Sequence, residues 1–327
     1  MQLNLIKSAI LMLLISSCQV QTKKQMSTNT NPLLCDPEIG ACLIGDSTSA
    51  LIDAELSTIK PVKIMYFTDP ICSSCWGIEP QLRRLKLEYG DRIQVEYHMG
   101  GLLRDWSYNS GGISKPSDVA IHWDEVSVYY DMPIDGDVWL EDPLSSSYPS
   151  SIAFKAAQLQ NDDKALLFLR KMREMVFLQK KNISQWQHIN EAALFVGLDA
   201  ELLKKDYDSA AVLSFQADLK MAANYGVRAF PTLLISDTSG NSLTVVGARP
   251  YEVLEDAIKK LDAEAKKSIY KKDWVSMFAY FKTMTAREFS ELSGMPRNET
   301  ESYLDQLVKE GNLKCISTKN GKLWMRS

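Results

Sequence analysis

The chain has 327 residues, of which 45% are hydrophobic, so it is long enough for two domains with substantial apolar cores. Its 37 basic and 41 acidic residues leave a formal net charge of −4 at pH 7, which argues against a general nucleic-acid-binding surface. No internal repeat is visible in the sequence.

The first 17 residues have the features of a signal peptide. Lys7 supplies a positive charge, and the apolar run SAILMLLIS that follows is too short to span a bilayer as a helix. The run leads through Ile-Ser-Ser to Cys18, which resembles a lipobox, the site where a cysteine becomes lipidated and N-terminal. This pattern predicts a cell-envelope lipoprotein that faces the periplasm. If translation begins at Met26 instead, the signal is absent and the chain is cytoplasmic.

Residues 18–59 are predicted to form a polar tether that contains a second pair of cysteines. The stretch QVQTKKQMSTNTN after Cys18 is polar and has no aromatic residue, as expected of a tether. Cys35 and Cys42 enclose DPEIGA, whose proline and glycine favour a turn. In an oxidising compartment this pair would form a structural disulfide, whereas in a reducing one it would be free or a second redox pair.

The next segment predicts a strand, a helix and a second strand. KIMYFT is a short apolar and aromatic run typical of a buried strand. From Cys72 onward, apolar residues at helical spacing predict a helix that kinks at Pro80 and ends at Gly90. RIQVEYHM then alternates in the manner of a strand. Together these elements predict a βαβ unit, which builds a parallel sheet.

The sheet is predicted to be interrupted and then completed. A helical insertion is predicted over about residues 105–225: it starts with turn-rich and aromatic loop stretches at 106–118 and 129–151, and apolar residues three and four apart predict helices throughout from Ser151 to Tyr225. A strand at 232–236, its antiparallel partner NSLTVVGA and a helix that starts near Pro250 complete the sheet. Residues 60–267 are therefore predicted to form one α/β domain with a large helical insertion.

Residues 272–327 are predicted to form a separate small module. Thr285 and Glu288 have the spacing of a capping box, and the helix that they begin ends at Gly294. A second helix and a β-hairpin follow, an order that resembles a winged-helix module. The second helix carries three acidic residues, Glu299, Glu301 and Asp305. Because these would repel phosphate, sequence-specific nucleic-acid binding is not expected, and the module is predicted to bind protein or to self-associate.

Cys72 and Cys75 are the main candidates for chemistry. A C-x-x-C at the start of a helix places both sulfurs on one face of the first turn. Because N–H groups at a helix N-terminus stabilise a thiolate, we predict a lowered Cys72 pKa and attack by this thiol on a disulfide. Cys75 would then resolve the mixed disulfide. Glu79 is either a proton acceptor for Cys75 or a solvated carboxylate of the helix face.

A metal-binding, structural or inert role for the two cysteines has less support. A zinc site needs four ligands, and Cys35 and Cys42 could complete one only at a spacing unlike that of common zinc knuckles. A structural disulfide across so short a loop would stabilise little, and a residue that opens a helix is normally too accessible for an inert buried pair. The histidines are scattered, so no metal and no cofactor are predicted. They are His98, His122 and His188.

FTDPICSSCWG, the βαβ pattern, the helical insertion and GVRAFPT together resemble the DsbA family of thioredoxin-fold proteins. The resemblance implies a thioredoxin fold over roughly residues 60–267, with a cis bond between Phe230 and Pro231 in a loop that binds an extended substrate. Trp76 either packs over this substrate site or belongs to the core. The motif DPxCxxCWG is closer to cytoplasmic relatives of the family, some of which are protease adaptors.

Two functions are compatible with this resemblance. The first is a protein disulfide oxidoreductase in which Cys72 and Cys75 are catalytic, with a cysteine-containing polypeptide as substrate and a further redox partner. Ser73 and Ser74 differ from the dipeptide of the best-known oxidase, which leaves the direction of electron flow open. The second is a cytoplasmic adaptor that starts at Met26 and whose C-x-x-C is regulatory.

Overall fold

The computed structural model describes residues 60–107 and 113–327 in full. Residues 60–327 form one unit of the chain, and residues 1–59 belong to another. Of the latter, only the backbone of two short strands is described, β1 (Cys35–Asp36) and β2 (Ala41–Cys42).

Some predictions concern N-terminal residues that are not described. The signal peptide at 1–17, the lipidation of Cys18 and the alternative start at Met26 all lie outside the described residues. Strands β1 and β2 pair antiparallel, and Cys35 lies opposite Cys42 in their backbone register. The disulfide between these two side chains stays a prediction.

The described part of the second unit contains a central four-stranded sheet with the order β4, β3, β5, β6. The strands are β3 (Val62–Thr68), β4 (Ile93–Met99), β5 (Thr232–Asp237) and β6 (Ser242–Val246). β3 pairs parallel with β4 and antiparallel with β5, and β5 pairs antiparallel with β6. The parallel pair confirms the predicted βαβ unit, and β5 and β6 confirm that the sheet resumes after the insertion.

Two helices follow β3 where the sequence predicts one kinked helix. α1 (Ser73–Gly77) is capped by Ile78, and α2 (Glu79–Tyr89) begins directly after it. Pro80 lies in the first turn of α2, where its missing N–H removes no helical hydrogen bond. The chain therefore breaks and restarts at this point.

The described residues between β4 and β5 are mainly helical, as predicted. The helices are α3 (Pro116–Tyr130), α4 (Val138–Glu141), α5 (Tyr148–Gln160), α6 (Asp162–Leu178), α7 (Trp186–Phe195), α8 (Ala200–Tyr207) and α9 (Ala210–Asn224). α4 lies in a stretch that the sequence predicts as a loop, whereas α3 lies mostly between the two predicted loop stretches. α3 forms there because Val119, Trp123 and Ser127 recur every four residues and bury one face of the helix. None of the helices in the described ranges is long and apolar enough to cross a bilayer.

One face of the sheet packs against α2 and α10 (Tyr251–Leu261). Alternate side chains of β3 reach this face, because successive residues of a strand point to opposite sides. They form a buried cluster with both helices that includes Val62, Ile64, Tyr66, Leu85, Tyr89, Leu254 and Ile258. The helix predicted near Pro250 is thereby part of the core.

The C-terminal residues form a three-stranded sheet with three helices. These elements are α11 (Trp274–Tyr280), β7 (Thr283–Thr285), α12 (Ala286–Ser293), α13 (Arg297–Lys309), β8 (Leu313–Thr318) and β9 (Gly321–Arg326). The two predicted helices, the capping box of Thr285 and Glu288, and the hairpin are all present, and α11 and β7 are additional. We call residues 274–326 the C-terminal module. Its likeness to a winged helix and the predicted domain limits stay predictions.

Candidate functional site

The cysteine pair lies at the start of α1, directly beyond the end of β3. Cys72 is the N-cap residue in an extended conformation, with φ −76° and ψ 108°. Its Sγ accepts a hydrogen bond from the backbone N–H of Cys75 at 3.1 Å, so a sulfur takes the role that a serine or aspartate oxygen usually has. Both cysteines are free thiols.

Both thiols are buried. Cys72 is 4% exposed and Cys75 is not exposed at all. Burial raises the pKa of the Cys72 thiol well above its ordinary value, and the neighbouring Cys75 and the charge of Asp69 add to the rise. The predicted lowering of the Cys72 pKa is therefore wrong, because one N–H at the end of a five-residue helix does not offset the loss of water.

Cys75 is the thiol whose ionised form is favoured. Burial opposes its ionisation, but the hydrogen bond from Cys72, the charge of Arg173 and the hydroxyl of Thr68 together lower its pKa. The sequence pattern predicts the thiolate on the other cysteine of the pair. It does so because the helix N-terminus is visible in a sequence, whereas a buried arginine from a distant helix is not.

Arg173 of α6 reaches beneath the cysteine pair and was not identified from the sequence. It is only 1% exposed, and its Nη2 donates to the hydroxyl of Thr68 at 2.6 Å. Its Nη1 donates to Glu79 Oε1 at 2.5 Å. Glu79 is therefore the ion-pair partner of a buried arginine, which differs from both roles expected for it. The signal in the sequence was an arginine among the apolar positions of α6, close to Met172 and Val176.

Asp69 holds together the loops around the pair. Its carboxylate accepts hydrogen bonds from the N–H groups of Ile71 at 3.0 Å and Leu102 at 2.8 Å, and from the Ser147 hydroxyl at 2.8 Å. Burial raises the pKa of Asp69 to about 6, although these hydrogen bonds favour its charged form. The cysteine loop, the segment after β4 and the start of α5 are thus joined at one side chain.

Trp76 belongs to the core, which is a correction to its predicted place in the substrate site. Its indole is fully buried and donates from Nε1 to the carbonyl of Pro133 at 3.1 Å. One ring partner is Phe177, stacked at 5.5 Å, and the other is the guanidinium of Arg170, 4.3 Å from the ring centroid. A buried side chain of this kind has no surface left for a substrate, so the alternative of core packing is correct.

The predicted proline loop adjoins the same end of the sheet as the cysteine loop. The Phe230–Pro231 peptide bond is cis, as the family resemblance implies. Thr232 at the start of β5 pairs with Phe67 near the end of β3, so the two loops lie at the same end of these central strands. The Phe230 ring is half-buried against Gly100, where a Cβ would lie 2.1 Å from ring carbons. The close approach therefore requires glycine at this position.

Tyr130 of α3 covers the outer side of α1. Its hydroxyl lies 2.8 Å from Ser74 Oγ, and a Cβ on Gly77 would lie 2.5 Å from its ring. The helical insertion thus packs directly against the helix that carries the cysteines.

The histidines do not join the site. His98 is buried beside Asp218, His122 is exposed and His188 is partly exposed. Among the described residues, no group of three or more histidine, cysteine, aspartate or glutamate side chains is placed to hold a metal ion.

A family profile described as thioredoxin matches residues 65–256, which is more than half of the chain. The matched region begins in β3 and ends in α10, so it includes the cysteine pair, the helical insertion and the cis proline. The chain belongs to the thioredoxin family. Its motifs and insertion are those of DsbA-like members, and the resemblance predicted from the sequence is confirmed.

Two curated relatives of this thioredoxin-family chain have the same name. The ClpXP adapter protein SpxH of Halalkalibacterium halodurans is 30% identical over 309 residues, covering 91% of this chain and 99% of the relative. The ClpXP adapter protein SpxH of Bacillus subtilis is 31% identical over 270 residues, covering 81% of this chain and 89% of the relative. These matches extend well beyond the thioredoxin-like region.

Solved structures share the thioredoxin fold at low identity. A candidate protein disulfide isomerase from Nitrosomonas europaea superposes with a TM-score of 0.52 at 21% identity, covering 62% of this chain and 96% of its own. The cytosolic disulfide reductase DsbM from Pseudomonas aeruginosa has a TM-score of 0.50 at 19% identity, covering 61% of this chain and 99% of its own. At such identities the likeness concerns the fold alone.

The comparisons correct the first of the two predicted functions. The relatives that cover most of the chain are named as protease adapters, so the prediction of a protein disulfide oxidoreductase is wrong. The prediction failed because C-x-x-C and cis proline belong to the fold as a whole. They do not distinguish members that catalyse disulfide exchange from members that bind other proteins.

Proposed function

We propose that this chain is an adaptor that presents a client protein to a ClpXP protease. The observation that carries the proposal is the match to an SpxH adapter over 91% of this chain and 99% of the relative. A match of that length must include part of the C-terminal module as well as the thioredoxin-like region. The two chains are therefore similar as whole proteins, which supports a shared function better than a shared domain would.

In this proposal the cysteine pair is regulatory. Its burial supports this role, because an enzyme of disulfide exchange needs a thiolate that a protein substrate can reach. The raised pKa of Cys72, caused chiefly by burial, keeps the outer thiol protonated near neutral pH. The partners are then proteins, namely a client and the protease, and neither has to contain a cysteine.

We place the client beside the proline loop. Phe230 is half-buried there, and the ring of Tyr225 just before it is 56% exposed. Leu102, which follows Gly100 and Gly101, is 47% exposed. These aromatic and apolar side chains, exposed or half-buried near the proline loop, have the composition of a protein-binding surface.

The adaptor proposal goes with the cytoplasmic alternative for localisation, because an adaptor must share a compartment with its protease. The N-terminal peptide of the protein, isolated from its native host and identified by mass spectrometry, tests this. A peptide starting at Met26 agrees with the proposal. A lipidated Cys18 at the N-terminus would contradict it.

The function itself is tested by measuring protein turnover in the native host. Protein half-lives are compared by quantitative mass spectrometry in four strains, namely wild type, a strain without this chain, a strain without ClpX, and a strain with Cys72→Ser and Cys75→Ser. We expect a small set of proteins to be stabilised in both deletion strains and still degraded in the double-serine strain. If no protein is stabilised in both deletion strains, the adaptor proposal fails.

A further inference from the structure

A buried network of charged side chains starts at the cysteine pair. Arg173 lowers the cost of a negative charge on Cys75 and also binds Thr68 and Glu79. The second carboxylate oxygen of Glu79 lies 3.8 Å from Nε of Arg83 on the next turn of α2. One carboxylate therefore links the arginine beneath the cysteines to a second arginine farther along.

The network ends in the C-terminal module. Arg83 lies 3.3 Å from Oε1 of Glu288 and donates from Nη1 to the carbonyl of Thr283 at 2.8 Å. Glu288 is fully buried and is also the third residue of α12, where it accepts the backbone N–H of Thr285 at 2.7 Å. The carboxylate that caps a helix of the module is thus also the terminal anion of the network.

A second route joins the same two ends. Trp76 follows Cys75 directly, and its ring carries the guanidinium of Arg170 at 4.3 Å. Arg170 donates to both carboxylate oxygens of Glu288, at 2.7 and 3.1 Å, and lies 2.7 Å from Glu174 of its own helix. The charges of the three arginines and three glutamates of the network sum to zero, so a negative charge on the cysteine pair gives the whole group a net charge. These residues are Arg83, Arg170, Arg173, Glu79, Glu174 and Glu288.

Charges in such a buried network act on one another over more than one contact. Little water separates them, so the effective dielectric constant is lower than at the surface and coulombic effects are stronger. Arg173, Arg83 and Glu288 are each less than one-tenth exposed. A change in the charge of one member therefore changes how strongly the remaining arginines and carboxylates of the network attract one another.

We infer that the redox state of Cys72 and Cys75 is coupled to the docking of the C-terminal module through this network. The inference rests on the proposed function, in which the pair is regulatory, and it names the part of the protein that the pair regulates. The module, held by Glu288, is the responding element.

The redox step needs an oxidant, and a small-molecule disulfide such as oxidised glutathione serves as the probe. The two cysteines give up two electrons and the protons that they still hold, and form the Cys72–Cys75 bond. The S–S bond of glutathione breaks, and its two sulfurs take up the two electrons and two protons to give two thiols; where Cys75 is already ionised, one of these protons comes from water. The sulfur of Cys75 then carries no charge beside Arg173.

The direction of the response follows from competition for Arg173. The lowered pKa of Cys75 favours its ionised form in the reduced protein, and negative charge on this sulfur competes with Glu79 for Arg173. Oxidation removes that charge, so Glu79 turns more fully to Arg173 and less to Arg83. Arg83 is then held more firmly by Glu288 and Thr283, and the module docks more tightly in the oxidised protein.

Hydrogen exchange on the full-length wild-type protein tests the coupling without any substitution. Oxidised and reduced samples, verified by thiol alkylation, are compared for amide exchange in α12 and β7. We expect exchange there to be at least about fivefold slower in the oxidised protein, the lower end of typical couplings between sites. Helix α8, which lies outside the network, is the internal reference. Equal exchange of α12 in the two states would overturn the inference.

The reciprocal effect is measured with a matched pair of substitutions in α12. Coupling is symmetric, so Glu288→Gln should change the equilibrium constant of the Cys72–Cys75 disulfide in glutathione buffer by at least about fivefold. The control is Glu291→Gln, which removes a carboxylate that pairs with Arg84 and Arg287 outside the network. We expect less than a twofold change there. Equal effects of the two variants would contradict a network-specific coupling.

These measurements need neither protease nor client, so they are independent of the adaptor proposal. Loss of coupling with intact client turnover would remove only the regulatory link. Intact coupling without any client in the turnover experiment would remove the adaptor function and leave a redox-sensitive module.

Discussion

His98 and Asp218 form a buried pair in which Nδ1 lies 2.8 Å from Oδ1. The other carboxylate oxygen of Asp218 accepts the N–H of Met99 at 2.9 Å and lies 3.0 Å from Nζ of Lys155. One aspartate of α9 therefore satisfies polar groups from β4 and α5 at once. This pairing holds the last helix of the insertion against the edge of the sheet.

Replacing Asp218 with Ala should destabilise the protein strongly, because Lys155 would be left buried without its partner. We expect a loss of about 3–5 kcal/mol in the free energy of unfolding, measured by urea denaturation. The control is Asp208→Asn, which breaks the exposed ion pair with Lys204 and should cost less than about 1 kcal/mol. Similar losses in the two variants would show that the buried cluster stabilises the protein no more than an exposed ion pair does.

Asp69 should make the stability of the protein depend on pH. Burial raises its pKa to about 6 in the folded protein, whereas an unfolded chain has the ordinary value near 4. The folded state binds the proton more tightly, so this contribution is fully present below pH 4 and is lost as pH rises through 6. Relative to Asp69→Asn, wild-type stability should fall by about 2 kcal/mol between pH 4 and 7. Parallel curves for the two proteins would contradict the raised pKa.

Gly77→Ala should disrupt the contact between α1 and α3, because the new Cβ would lie 2.5 Å from the Tyr130 ring. Overpacking of this kind costs about 1–3 kcal/mol. Thermal or urea unfolding of the single variants and of the double variant with Tyr130→Ala gives the coupling energy. We expect the glycine substitution to cost less once the ring is removed. If the destabilisation by Gly77→Ala is the same with and without the Tyr130 ring, its cause is the backbone of α1 and not the contact with α3.

Phe230→Ala and Trp76→Phe should separate binding from stability. Phe230 is half-buried at the proposed client surface, so its loss should slow client turnover in the host while changing unfolding by less than about 1 kcal/mol. Trp76→Phe loses the hydrogen bond to Pro133 and weakens the contact with Arg170, and should cost about 1–3 kcal/mol with turnover unchanged while the protein remains folded. The opposite pattern would restore Trp76 to the binding site.

The sequence was sufficient for those features that depend on local pattern. Three such features depend only on residues close together in the sequence. They are the alternation in β3 and β4, the cysteine spacing at the start of α1 and the capping box at Thr285. The cis bond before Pro231 could be expected only through the family resemblance, because a single proline does not reveal its isomer.

The features that the sequence did not reveal depend on residues far apart in the chain. Arg173 and Glu79 are 94 positions apart, and Arg170 and Glu288 are 118 apart, so no periodicity links them. The pKa of Cys72 was predicted in the wrong direction because it depends on the burial of the thiol in the folded chain, which a position at a helix N-terminus does not reveal. The function was ranked wrongly for a related reason, since the motif is the same in enzymes and adaptors.

Arg170 and Arg173 lie one turn apart on α6, inside the insertion, while the carboxylates that they satisfy lie in α2 and in the C-terminal module. A minimal version of this protein made by trimming the insertion to a short linker would therefore remove two of the three arginines that contact Glu79 and Glu288, and leave both carboxylates to share Arg83. The insertion and the module form one electrostatic unit with the sheet, so a shortened protein would have to lose both together or replace those two glutamates with apolar residues.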